Sequence, residues 1–210
     1  MRPSRPTPWP RPASDPPASD PAGAEEAFIR AVADEHPKAV AELFDRYVGL
    51  VRRTLARTLG NAVDLDDLAQ DTFLTIIRRV RTLRDPLALR SFVVSVAVRT
   101  ARNELRKRAV RRFVGLEEAV SLPIAGPLDA ALVEGVRHVY DALDRLGTEA
   151  RLAFVLRHVE GYELSETAQA CGCSLATIKR RLSRAESRFE AIAQADPTLR
   201  ELIDLARRSA

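Results

Sequence analysis

Glu163–Arg188, ELSETAQACGCSLATIKRRLSRAESR, decides the fold, because it reads as a helix, a tight turn and a second, basic helix. Leu164, Thr167, Ala168 and Cys171 recur at helical spacing, and Gly172 follows where a turn between helices needs a residue that tolerates positive φ. Ser174 stands in an N-cap position. After it Leu175, Ile178, Leu182, Ala185 and Phe189 form one apolar stripe at intervals of three and four. The remaining faces carry Thr177, Lys179, Arg180, Arg181, Arg184 and Arg188. A helix pinned by its apolar side and set with cations on the other suits a DNA major groove. The pattern is therefore that of a DNA-reading helix-turn-helix, against a bland helical hairpin as the alternative.

Working outward, the rest of the chain also reads as helix. Leu, Ala and Val dominate the 46% apolar content, and only 5% is aromatic, which favours packed helices over sheets. Residues 1–24 hold most of the prolines and are expected to be a disordered tail. From residue 25 the apolar spacing predicts a short helix over Ala27–Ala33, then a helix through Leu43, Tyr47, Val51, Leu55 and Leu59 that ends near Gly60. A third follows, capped by Asp64 and carrying Leu68, Phe73, Ile76 and Ile77. After a turn at Arg84-Asp85-Pro86, a longer one runs from about Leu87 to Arg112. Gly115, Pro123, Gly126 and Pro127 mark a flexible linker over 113–128. Helices resume at about Asp129–Leu146 and Thr148–Val159, and one more short helix is expected after Pro197. The expected architecture is all-α: a tail (1–24), a module (25–112), a linker (113–128), a helix-turn-helix module (129–195) and an extension (196–210).

Three charge features need a cause. Asp64, Asp66, Asp67 and Asp71 cluster at a helix start, where acids oppose the positive end of the dipole. That explains the first three better than Asp71, since the effect fades beyond the first turn. Asp67, Gln70 and Asp71 share a polar face, which suits a binding partner equally well. Arg90, Arg99, Arg102, Arg106, Lys107, Arg108, Arg111 and Arg112 stand against the single acid Glu104, a one-signed face of the kind kept for a polyanion. Cys171 and Cys173 lie one residue apart and read as core packing, not as a zinc site or a disulfide framework.

No enzyme pattern emerges: His36, His138 and His158 are scattered, and neither a phosphate loop nor a nucleophile elbow is present. No cofactor or metal is expected. No apolar run approaches the roughly 20 residues that span a bilayer, so membrane insertion is not expected and a reducing cytoplasm is the default location.

Two stretches resemble the extracytoplasmic-function group of bacterial RNA polymerase sigma factors. Asp66-Asp67-Leu68-Ala69-Gln70-Asp71-Thr72-Phe73, followed by Arg90-Ser91-Phe92-Val93 and the basic helix, is similar to the family's first domain. Leu143-Asp144-Arg145-Leu146, Glu160-Gly161, Glu166-Thr167-Ala168 and Ala176–Ala185 are similar to its second. The resemblance implies that Asp66, Asp67, Gln70, Asp71 and Phe73 bind a coiled coil of the polymerase largest subunit. It implies that the turn at about Arg81–Leu89 holds a flipped −10 base, with Arg84, Arg90, Phe92, Arg99, Arg102 and Arg106 along the −10 DNA. Ser174, Thr177, Lys179, Arg180, Arg181 and Arg184 would read the −35 element. The implied partners are core RNA polymerase (coiled coil and flap region), promoter DNA and, as a further candidate, an anti-sigma factor. Phe92, Arg99, Gly147, Thr167 and Ala176 stand where the family usually has Trp, Asn, Pro, Ile and Gly. The competing reading is a stand-alone helix-turn-helix regulator of duplex DNA, which has no need of the acidic helix; a purely protein-binding adaptor leaves both basic helices without a cause.

Overall fold

The computed structural model describes residues 21–60, 64–115 and 130–209, and every regular element among them is helical. Most of the expected tail (1–20) and of the expected linker (116–128) lies outside the described residues. The tail expectation reached too far, since α1 spans Pro21–Ala33.

Pro37 opens α2 (Pro37–Leu59) at a position where its missing N–H is no loss. Leu43, Val51, Leu55 and Leu59 form the buried stripe of this helix. Gly60 ends it at φ 65°, and a Cβ there would lie 3.0 Å from the Tyr140 ring. Positive φ and this close approach both call for glycine. Asp64 caps α3 (Leu65–Arg79) as expected, its Oδ1 accepting from the N–H of Asp66 (3.1 Å) and Asp67 (3.3 Å). Ala69, Thr72, Phe73 and Ile76 turn into the core. Two short 3-10 turns, Val80–Thr82 and Pro86–Ala88, carry the chain round to α4 (Leu89–Phe113), with Asp85 accepting from Leu87 N–H at 3.0 Å.

The second group is α5 (Ala130–Asp144), α6 (Thr148–Phe154), a π-turn over Val155–Val159, α7 (Leu164–Cys171) and α8 (Leu175–Ala195). Gly172 has φ 64°, and Cys173 N–H donates to Ala168 O at 3.0 Å, so α7 ends in a left-handed cap. Ser174 Oγ accepts from Thr177 N–H at 3.2 Å and starts α8. Ile178, Leu182, Ala185 and Ala193 bury its inner face. Removing any of the leucines on these stripes forfeits about 2–5 kcal/mol.

The two modules are not held apart. One continuous buried cluster runs from Leu43, Val51 and Phe73 through Val94 and Ala101 to Leu152, Leu156, Cys171 and Leu182. The α4 helix packs against α2 and α3 and also against α6 and α7. The cause lies in its first half, where Val93, Val94, Val96, Ala97 and Val98 are all buried, too many for one face of a helix.

The extension forms α9 (Pro197–Ser209), packed on α5 and α8, with Leu199 buried. Asp196 Oδ1 accepts from the N–H of Thr198 (3.0 Å) and Leu199 (3.2 Å), while Oδ2 lies 2.6 Å from His138 Nδ1 on α5. The Asp196 hydrogen bond, aided by Glu134, holds the His138 imidazolium above its ordinary pKa. The ion pair therefore supports α9 below about pH 6.5 and is lost as pH rises through the raised value. Hydrogen exchange should show α9 amides losing protection as pH rises above about 6.5 through the raised value, and His138→Gln should remove that dependence. Equal protection across this range would exclude the pair as a determinant of α9 docking.

Candidate functional site

The acidic helix start gives α3 an exposed face of Asp66, Asp67, Gln70 and Asp71. Asp66 is shared with the fold, because Arg52 Nη1 lies 2.5 Å from its Oδ1. Phe73 does not join this face. It is 6% exposed and packs on Phe44, ring centroids 4.9 Å apart, since its spacing from Ala69 and Ile76 turns it into the core. Phe44 and Leu74 are instead the exposed apolar side chains here, lining with Val40, Ala41 and Ile77 a groove between α2 and α3. The sequence signal for Leu74 is its position off the buried stripe of α3; Phe44, next to the buried Leu43, carries no such signal.

The α4 cations fall into two sets. Arg90 and Arg99 are exposed, as is Arg84 in the turn before the helix. Phe92 is half-buried against the core. Arg81, in the expected base-holding turn, is committed to the fold: it donates to Ala33 O (2.8 Å) and Asp34 Oδ1 (2.8 Å) of the α1 end. Arg108 donates to Leu59 O at 2.7 Å, burial lowers its pKa, and Arg111 donates to the buried Glu104 at 2.8 Å. Part of the one-signed charge is thus consumed within the molecule. Arg102 and Arg106 reach toward the second module: Arg102 Nη2 donates to Cys171 O (2.8 Å), and both cations meet Glu149 Oε1, each at 3.0 Å.

On α8, Lys179, Arg180 and Arg184 are exposed, and Ser174 is exposed while serving as the cap. Thr177 is half-buried. Arg181 is half-buried and pairs within its own module, its Nη1 2.9 Å from Oε2 of Glu149, the α6 residue that the α4 cations also reach. Further contacts close the same interface. Glu160, placed by the π-turn with its side chain 3% exposed, pairs with Arg53 (3.3 Å) and Arg57 (3.1 Å) of α2. Tyr140 donates to Ala56 O at 3.2 Å, and Arg151 Nε donates to Thr58 O at 2.7 Å. The C-terminal carbonyls of α2 thereby receive donors, Arg151 among them a cation that opposes the negative end of the dipole.

Cys171 is buried, and burial pushes its thiol up to about 11, which fits packing and not reactivity. Among the described residues no cluster of His, Cys, Asp and Glu is arranged to hold a metal, and no helix is long and apolar enough to cross a membrane.

Comparison with known proteins follows this division. The family described as "Sigma-70 region 2" matches residues 43–111, and that described as "Sigma-70, region 4" matches 137–189. The chain is 31% identical over 149 residues to the ferric citrate uptake sigma factor FecI of Escherichia coli K12, covering 68% of this chain and 84% of that protein. It is also 31% identical over 151 residues to the ECF RNA polymerase sigma factor SigM of Mycobacterium tuberculosis, covering 72% and 75%. In fold it is similar to CnrH solved in complex with the cytosolic domain of CnrY (TM-score 0.58, 24% identity, 82% of this chain and 99% of that one). It is likewise similar to the sigma factor RpoE of Bartonella quintana solved with the anti-sigma factor NepR (TM-score 0.55, 22% identity, 74% and 97%).

Proposed function

The chain belongs to the extracytoplasmic-function group of sigma-70 family sigma factors and directs RNA polymerase to promoters, and from that premise we propose how its surfaces divide the work. A sigma factor is a polymerase subunit, not an enzyme. The observation that carries the proposal is the presence of regions 2 and 4, in that order, on one chain. A stand-alone regulator of duplex DNA has no use for the first.

Residues 25–112 form the polymerase-docking and −10 module, and 129–195 the −35 module. Asp66, Asp67, Gln70 and Asp71 present acceptors to a coiled coil of the largest subunit, and the exposed Phe44 and Leu74 beside them supply apolar contact. Phe73 holds that surface in shape from inside. Arg84, Arg90 and Arg99 face the −10 strand as they stand. A base flipped into the turn before α4 would offset a few kcal/mol of unpairing, so melting proceeds without ATP. Ser174, Thr177, Lys179, Arg180 and Arg184 approach the −35 groove along α8, and the second module touches the polymerase flap region. Arg102, Arg106 and Arg181 join these sets only after leaving Glu149. The location is the cytoplasm, where polymerase works. An anti-sigma factor is a further partner, on the precedent of the Bartonella complex.

The test is co-elution of the purified chain with sigma-free core polymerase at moderate salt, followed by transcription from genomic fragments to map the promoter. A folded chain that forms no complex would remove the assignment of the docking face. On the mapped promoter, Arg181→Ala should lose about 1–3 kcal/mol of discrimination between the native and a scrambled −35 element. An equal loss on both sequences would make Arg181 a phosphate contact.

A further inference from the structure

The C-terminal end of α4 carries Val110, Phe113 and Val114, which are 65%, 92% and 62% exposed. One exposed apolar side chain is ordinary on a protein surface, whereas three together call for a cause. Their spacing of three and four puts them on one helix face. Arg99, Asn103 and Lys107, all exposed, lead to Val110 along that same face at four-residue steps. From Arg99 to Phe113 the row runs roughly 21 Å along the helix. The single acid of α4, Glu104, is buried on the other side and answered by Arg111, so the exposed row carries cations alone. Lys107 and Arg111 border a shallow hollow against Val110. The helix end is also fixed, since Val114 N–H donates to Val110 O at 3.1 Å and Gly115 N–H to Arg112 O at 3.2 Å.

Cations that follow a phosphate backbone, next to an aromatic face that can receive a base, are the parts of a single-strand site. In a duplex the bases stack on one another, and a ring at the surface finds no face to cover. An unpaired base has such a face. We propose that Phe113, flanked by Val110 and Val114, is a stacking platform for an unpaired DNA base. Arg99 and Lys107 hold the phosphates that lead to it. With 25 residues α4 is roughly 37 Å long, so Phe113 stands far from the turn before Leu89 and meets a different base from the one held there. Stacking on a ring tolerates any base, so the platform adds affinity for the opened strand without reading its sequence. The inference rests on reading α4 as the −10 helix.

The experiment uses the full chain and fluorescein-labelled oligothymidylate, with a mixed-sequence duplex of equal length beside it, read by fluorescence anisotropy across a salt series. Phe113→Ala should bind the single strand about tenfold more weakly, within the range of one base–aromatic stack. Its affinity for the duplex and its salt slope should stay those of the parent, because stacking releases no counterion. Phe113→Leu keeps apolar bulk without the ring and should lose as much as Phe113→Ala, while Phe113→Trp should bind at least as tightly as the parent. Lys107→Gln should instead flatten the single-strand salt slope by roughly 0.7. Because Phe113 is exposed, thermal melts of all its variants should match the parent. A parent chain that does not bind oligothymidylate would overturn the platform. So would unchanged single-strand affinity in Phe113→Ala, an equal loss on the duplex, or parent-like binding by Phe113→Leu; the last would make the contact merely apolar. Co-elution of the parent with core polymerase is scored separately. Its failure removes the sigma surface assignment, while the platform is decided by the anisotropy alone.

Discussion

Asp67→Arg is expected to lower affinity for core polymerase by about 2–5 kcal/mol, the scale seen when one side of a close charge pair across an interface is lost. The side chain is exposed, and Asp64 caps the helix through the Asp67 backbone N–H, which the substitution keeps. Asp66 already has Arg52 beside it, so Asp67 and Asp71 are the acids of this face most available to a partner. Reversing one of them places a cation in the surface that must meet the polymerase. The fold should lose only about 0.3–1 kcal/mol of dipole support. Isothermal titration against core polymerase, with a thermal melt alongside, separates these effects. A folded variant that binds as the parent does would place the docking surface elsewhere.

Arg151→Ala is expected to have the largest effect on stability, about 3–5 kcal/mol, because it breaks a buried network by removing the cation that joins Thr58 O to Asp144. Arg151 is 2% exposed, donates to Thr58 O on α2 and pairs with Asp144, while burial pushes it down to about 10. It remains charged at neutral pH. Its removal takes one cation from the Asp144 carboxylate, which keeps Arg112, and opens a void under Tyr140. Arg151→Met fills the void without the charge and should recover part of the loss. Chemical denaturation measures both. A change below about 1 kcal/mol in Arg151→Ala would mean that the seam between the modules is held by its apolar contacts alone.

The elements that follow from local chemistry were legible in the sequence. Asp64, Gly172 and Ser174 end or begin helices where their side chains or φ values dictate. The stripes Ala69–Phe73–Ile76 and Ile178–Leu182–Ala185 bury as their spacing requires. Phe73 shows where a motif misleads: family resemblance put it among the docking residues, whereas helical spacing alone puts it in the core. The seam between the modules has a signal in the sequence too. A helix with Val93, Val94, Val96, Ala97 and Val98 nearly in a row is apolar round most of its circumference and must be covered on more than one side.

By itself, the sequence determined the helices, their caps, the helix-turn-helix and the charge of each face, since these depend on neighbours three or four residues away. Only the tertiary structure decided which cations are free. Arg99, Arg180 and Arg184 stay exposed, while Arg102, Arg106 and Arg181 converge on Glu149, and Arg108 and Arg151 cap the end of α2. Those pairings join residues 32 to 93 positions apart, as in Arg181 with Glu149 and Arg151 with Thr58. No periodicity in the chain encodes such distances; they are set by how the helices pack within each module and across the seam between the two.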